Sequence, residues 1–353
     1  MNPKNSKIKV GISCGDPNGI GLEALADAMR DERSMAGMVP VVYAPRALAE
    51  VAFEGLTWSE VDEEAQAKAG QLNLMAMDDD GFEHQPGEAT TQAGAVAMAS
   101  LETAVAALAN TKVDVLVTAP INKDTIRQAG FAFPGHTEYL ADVAGVKDVL
   151  MLLCCDGLRI GVATGHVALK DVAHHLTTET IVSKLRLMGE SLVRDFGIPN
   201  PRVAVLGLNP HAGDNGVMGD EEKRIIGPAI EEARNAGIMA FGPYAADGFF
   251  GSGASQGFDG VLAMYHDQGL APFKAMSFGR GVNFTAGLPV VRTSPDHGTG
   301  FDIAGQGTAK GDSFREAIRM ACDVRMHRLD HRAISANPLE VAPPKPEYRD
   351  RGR

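Results

Sequence analysis

Short apolar runs that break into Gly- and Pro-rich loops recur along this chain, and they alternate with segments of helical spacing. Residues 9–13 read as a strand, followed by the loop 15–21 and a helix over 22–29. Residues 40–43, 113–118, 158–162, 203–208 and 261–264 have the same strand character. Helical spacing marks 93–108, 177–196, 221–236 and 313–329; in the second of these Ile181, Leu185, Met188 and Leu192 share one face. Strands alternating with helices predict an α/β fold on a largely parallel sheet. The strands are apolar along their length, as expected where helices cover both faces. Residues 62–86 are acidic and weakly patterned, which predicts a surface excursion. From 337 onward Pro and charge dominate, which predicts a poorly ordered tail.

Composition narrows the class. A chain of 353 residues is long enough for two domains. A net charge of −12 argues against a nucleic-acid surface, which needs clustered Lys and Arg. It leaves room for an anionic substrate, because a few local cations suffice to hold a phosphate. No apolar run is read as approaching the roughly 20 residues of a membrane span. The polar residues 1–9 lead directly into a strand, so no signal peptide is expected and the expected location is cytoplasmic. Cys14, Cys154, Cys155 and Cys322 lack metal-ligand spacing and read as reduced core thiols.

Three histidines follow three of the apolar runs. His166 ends Ala-Thr-Gly-His, His211 lies in Gly-Leu-Asn-Pro-His-Ala-Gly, and His266 in Met-Tyr-His-Asp-Gln-Gly. Ligands of open α/β sheets bind at the carboxyl ends of strands. Three imidazoles there could close on one divalent metal and leave a position open for substrate. Any one of them alone would more simply pack or cap a turn; it is the recurrence that favours a site. The loop 15–21 has neither the dinucleotide nor the Walker spacing, so a tight strand-to-helix turn is the better reading. Lys274, Arg280 and Arg292 lie near Asn283 in a Gly-rich stretch, and Arg292 is expected at the end of a strand over 288–291. Such a set can hold a phosphate or carboxylate, Lys as a point charge and Arg as a planar fork. His136-Thr137 forms a further polar pair in a Gly/Pro loop, where Thr137 could equally cap a helix.

Seven stretches together resemble one family. They are Gly-Asp-Pro-Asn-Gly-Ile-Gly (15–21), Thr-Ala-Pro-Ile-Asn-Lys (118–123), Pro-Gly-His-Thr-Glu (134–138), Gly-Leu-Asn-Pro-His-Ala-Gly (207–213), Ala-Met-Tyr-His-Asp-Gln-Gly (263–269), Gly-Arg-Gly-Val-Asn (279–283) and Arg-Thr-Ser-Pro-Asp-His-Gly-Thr (292–299). In this order they are similar to those of the 4-hydroxythreonine-4-phosphate dehydrogenases of the vitamin B6 pathway. The resemblance spans residues 8–330; 62–86 and the tail carry none of these motifs.

The resemblance implies NAD-dependent oxidation of 4-phosphooxy-L-threonine at its 3-hydroxyl. The β-keto acid formed would lose CO2 to give 3-amino-2-oxopropyl phosphate, in pyridoxal 5′-phosphate biosynthesis. It implies one divalent metal (Zn2+, Mg2+ or Co2+) on His166, His211 and His266, and substrate contacts from His136, Thr137, Lys274, Asn283 and Arg292. It implies a homodimer with the active site at the interface, and no nucleic-acid or membrane partner. The fold implied is two α/β/α lobes with a cleft between them, like isopropylmalate and isocitrate dehydrogenases. Residues 1–130 with 296–335 would form the cofactor lobe, 131–295 the metal and dimer lobe, and 336–353 a tail. His297, Gly298, Thr299 and Asp302 match the cofactor loop of those enzymes, and Asp302 could alternatively cap a helix. Asp247 and Asp267 are both candidate bases, and either could instead orient a metal-bound imidazole. Two rival readings stay open: a dehydrogenase of another phosphorylated four-carbon acid, such as threonate or erythronate 4-phosphate, and a metal-dependent hydrolase.

Overall fold

A computed structural model describes residues 7–78 and 81–337. The polar residues 1–6 and the tail from 338 lie outside the described residues, and with them the expectations about leader and tail. Twelve strands form one sheet: β1 (Ile8–Ser13), β2 (Met38–Pro45), β3 (Trp58–Glu60), β4 (Leu72–Met77), β5 (Val115–Thr118), β6 (Leu150–Cys155), β7 (Leu158–Thr164), β8 (Arg202–Leu206), β9 (Met239–Tyr244), β10 (Gly260–Tyr265), β11 (Val282–Ala286) and β12 (Arg292–Pro295). Their order is β3-β4-β2-β1-β5-β12-β11-β6-β7-β10-β8-β9. The α/β expectation holds, and the sheet is parallel in both flanks. At its centre, β12–β11, β11–β6 and β6–β7 pair antiparallel. Three reversals leave the two parallel flanks running in opposite directions.

The helices are set by their caps and apolar faces. In α3 (Thr91–Ala109) the Thr90 hydroxyl accepts from the Ala93 amide, and in α7 (Thr178–Arg194) Thr177 does the same for Thr180. Contrary to the sequence reading, α3 is long and apolar enough to cross a membrane; here it packs on β1, β2 and β5 as a core helix. The helix expected over 221–236 begins as a π turn, Glu222–Ile226, and becomes α8 only at Gly227–Asn235. Pro228, in its first turn, has no N–H to donate to the preceding turn.

Two expectations are corrected. Residues 62–86 are not simply a surface excursion: β4 lies within them, hydrogen-bonded between β2 and β3, with Leu72 and Leu74 buried. Its signal was masked by Asn73, which is buried because its amide donates to the Pro40 and Lys68 carbonyls. Arg292 opens β12 rather than ending a strand over 288–291.

Candidate active site

Paired residues of an antiparallel sheet share a face, and alternate residues along a strand return to it. Asn283 of β11 pairs with Leu153 of β6 and Ser294 of β12, and Thr285 pairs with Met151. Over this face lies a cavity of about 400 Å3. Its floor is Met151, Leu153, Asn283, Arg292 and Ser294. Its walls come from the loop after β5 and from α5 (His136–Val143), α10 (His266–Ser277) and the loop after β12.

Arg292 is the strongest electrostatic feature of the site. It is 2% exposed, and its Nε and Nη2 donate to Thr118 Oγ1 at 3.1 and 2.7 Å while Nη1 donates to Thr285 Oγ1 at 3.3 Å. Among the described residues no carboxylate forms an ion pair with it, and burial pushes its pKa down to about 10. The Glu138 carboxylate opposes this from across the cavity without forming an ion pair, and an anion arriving in the cavity would further offset the cost of the buried cation. Lys274, on α10, lies 3.9 Å from Asp296 Oδ1, and burial raises the Asp296 carboxyl above its ordinary range. Three buried side-chain atoms of the cavity have no protein partner: His136 Nε2, Asn283 Oδ1 and His297 Nε2. Buried polar groups are normally satisfied, so three orphans in one cavity point to a polar ligand. Burial, with Arg292 and Lys123 adding to it, holds His136 well below the usual imidazole range, hence neutral.

Residues 36–321 match the family model of the pyridoxal phosphate biosynthetic protein PdxA. The chain belongs to the PdxA family. The 4-hydroxythreonine-4-phosphate dehydrogenase of Bacteroides thetaiotaomicron is 45% identical over 341 residues, which are 95% of this chain and 94% of that one. That of Sulfurihydrogenibium is 40% identical, covering 89% of this chain and 97% of its own. The solved structure of the enzyme from Klebsiella pneumoniae superposes with a TM-score of 0.80 at 36% identity, covering 91% and 98% of the two chains. As a PdxA-family member the chain is an oxidoreductase, a 4-hydroxythreonine-4-phosphate dehydrogenase of pyridoxal phosphate biosynthesis.

Within the PdxA cavity, His166 and His266 meet. They leave the adjacent parallel strands β7 and β10, and their ring centroids are 6.1 Å apart. His266 is the first residue of α10 rather than part of a loop. Asp267 Oδ1 lies 2.7 Å from its Nδ1, which leaves Nε2 free to coordinate. Burial and the Lys123 charge lower the His166 pKa, which favours the neutral, ligating form. These donors suit a divalent metal. His211 follows β8, the next strand along, but does not line this cavity. It sits in a turn, Pro210–Gly216, whose residues 211–215 all have positive φ. Glu222 clamps that turn from below, accepting from the Leu208 and Asn209 amides and the Asn209 side chain. Among the described residues of one chain, no three His, Cys, Asp or Glu side chains gather as a metal site.

The family's cofactor stretch divides. His297 and Gly298 line the cavity; Thr299 and Asp302 do not. Instead the Thr299 carbonyl accepts from the Ile20 amide, and the Asp302 carbonyl from Gln306. A Cβ on Gly19 would stand 2.7 Å from the Thr299 oxygen, so the glycine there permits a backbone joint. The amides of Asp16, Gly19 and Ile20 all bond within the protein, which supports the turn reading of loop 15–21. Asp267 contacts His266 but does not line the cavity, and neither does Asp247 on α9 (Ala246–Gly251). Arg280 is turned away, paired with Asp156 at 2.9 Å. Sequence reasoning assigned no role to Thr118, Lys123, Glu138 or Asp296, all of which line the cavity. The available signal was their place inside three of the family's stretches.

Proposed function

We propose that this cavity binds 4-phosphooxy-L-threonine and that NAD oxidises it there at the 3-hydroxyl, giving a β-keto acid that decarboxylates to 3-amino-2-oxopropyl phosphate. The buried Arg292, held by two threonine hydroxyls and lacking a carboxylate partner, carries the reading. With Lys274 it grips the anionic ends of the substrate. His136, Thr137 and Asn283 supply the neutral polar contacts, and the orphan atoms of His136 and Asn283 gain partners when substrate binds. His166 and His266 would hold a divalent metal with His211 contributed by a second copy of the chain. Such a metal lowers the pKa of the substrate hydroxyl and stabilises charge on its oxygen. His297 and Gly298 would seat NAD, which would supply the hydride acceptor.

A dimer is supported by where apolar side chains are left in water. Leu169, Val217 and Phe278 are 73%, 76% and 83% exposed. They follow the segments of His166, His211 and His266 respectively. The reading is tested by exhaustive chelation followed by metal addition, with NADH absorbance and light scattering recorded together. Chelation should abolish turnover, metal should restore it, and the mass should be twice that of the chain. Full turnover by metal-free protein would refute the metal assignment.

A further inference from the structure

Lys123 occupies the cavity without a part in the scheme above. It is the first residue of α4 (Lys123–Gln128), fixed by Asn122, whose side-chain oxygen accepts from the Asp124 and Thr125 amides. Its side chain reaches past the start of α5: Cε is 3.9 Å from where a Cβ on Gly135 would lie, and Glu138 Oε2 is 3.4 Å from the same point. Lys112, Lys184 and Lys274 each have an ion-pair partner; among the described residues Lys123 has none. It lines the same cavity as His136 and His166. One ring belongs to the substrate-anchoring set and the other to the metal set. The reacting carbons must lie between those two sets.

We propose that Lys123 is the general acid of the second half-reaction, delivering a proton from Nζ to the carbon that CO2 leaves. The inference rests on the substrate reading above. In the β-keto acid the bond between the carboxylate carbon and C2 breaks. Its electron pair moves into the C2–C3 bond, and the carbonyl pair moves onto oxygen, giving an enolate and CO2. C2 then takes a proton from the Lys123 ammonium as the ketone reforms, and water reprotonates the amine. No oxidant or reductant is consumed in this step. Other groups of the cavity suit the task less well. Arg292 is tied by Thr118 and Thr285 and is committed to the anionic end of the substrate. Lys274 faces Asp296, and His136 is held neutral. An ammonium on a flexible stem has three donors and freedom to follow the carbon.

The test compares wild type, Lys123→Met and Lys123→Arg in D2O with 4-phosphooxy-L-threonine, NAD and metal. NADH, CO2 and the ketone are followed in the first turnover, and the ketone is trapped at once by borohydride. General acids contribute about 10²–10⁴-fold, so in both variants the ketone should form at least about a hundredfold more slowly than CO2 is released. Wild type should carry deuterium at one of the two C2 hydrogens; the variants should show it scattered over both. A residue that only props the fold would slow both halves together and would not scatter the label. Ketone formation in step with CO2 release in Lys123→Met, or a single labelled position there, would overturn the proposal. Circular dichroism confirms that the variants fold, as expected for an exposed lysine without a partner. No NADH from the wild type with this substrate would overturn the substrate reading, and this proposal with it.

Discussion

Arg292 and Arg280 carry the same charge twelve positions apart, yet the structure gives them opposite fates. Arg292 is buried on two threonine hydroxyls, and Arg280 is a surface residue paired with Asp156. Hydrogen bonds to charged groups are worth about 1.5–3 kcal/mol each, so Arg292→Ala should lower kcat/KM by roughly tenfold to over a hundredfold. Arg292→Lys should recover part of this, because a point charge replaces a fork. Arg280→Ala should be nearly silent, and steady-state kinetics in which it proved equally damaging would dismiss the anion site. Thr118→Val removes the acceptor of two of the guanidinium bonds and should raise KM more than it lowers kcat. The cationic anchors were legible in the sequence as types in a Gly-rich stretch. The threonine that aims Arg292 was not, because it lies 174 positions away and only the pairing of β5 with β12 brings it close.

At the scale of elements, strand and helix positions were legible wherever the apolar period was unbroken, as in β1, α7 and β10. β4 was missed because a buried asparagine and acidic flanks broke its pattern. Apolar runs do not encode strand direction, so the antiparallel centre that forms the cavity floor could not be read. One buried network fixes that floor. Asp195, at the end of α7, is fully buried and accepts from Arg194 and from Arg328 of α11 (Asp312–Ser335). Arg328 also donates to the Leu288 and Pro289 carbonyls, just before Arg292. Removing one partner of a buried pair costs about 3–5 kcal/mol, so Asp195→Ala should lower stability by that amount in denaturant titration. An unchanged unfolding midpoint would contradict this. The first residue of α5 adds a pH dependence. Burial lowers the His136 pKa in the folded state, whereas the unfolded chain takes up its proton near about 6.5. Folding then binds fewer protons, so stability should fall as pH drops below that value. His136→Gln should flatten the decline between pH 7 and 5; an equally steep decline in the variant would exclude His136 as its source.

For the whole molecule, the sequence motifs identified the family, but a single chain assembles only two of the three histidines. The third follows a neighbouring strand on a clamped left-handed turn, and the proposed dimer would supply it from a second copy. Val217→Asp with Met218→Asp, both at exposed positions beside that turn, should shift the protein to monomer and weaken metal binding. Light scattering that still reports a dimer would place the interface elsewhere. NAD should be preferred over NADP, since Lys310 is the only nearby cation in a stretch that also holds Asp302 and Asp312. The most direct measurement is NADH absorbance on mixing the metal-loaded protein with NAD and a panel of phosphorylated four-carbon acids. 4-Phosphooxy-L-threonine should give the highest kcat/KM, ahead of threonate and erythronate 4-phosphate, and Arg292→Ala should lose most of it. A faster reaction with either hydroxy acid, or no NADH from any of the three, would contradict the account.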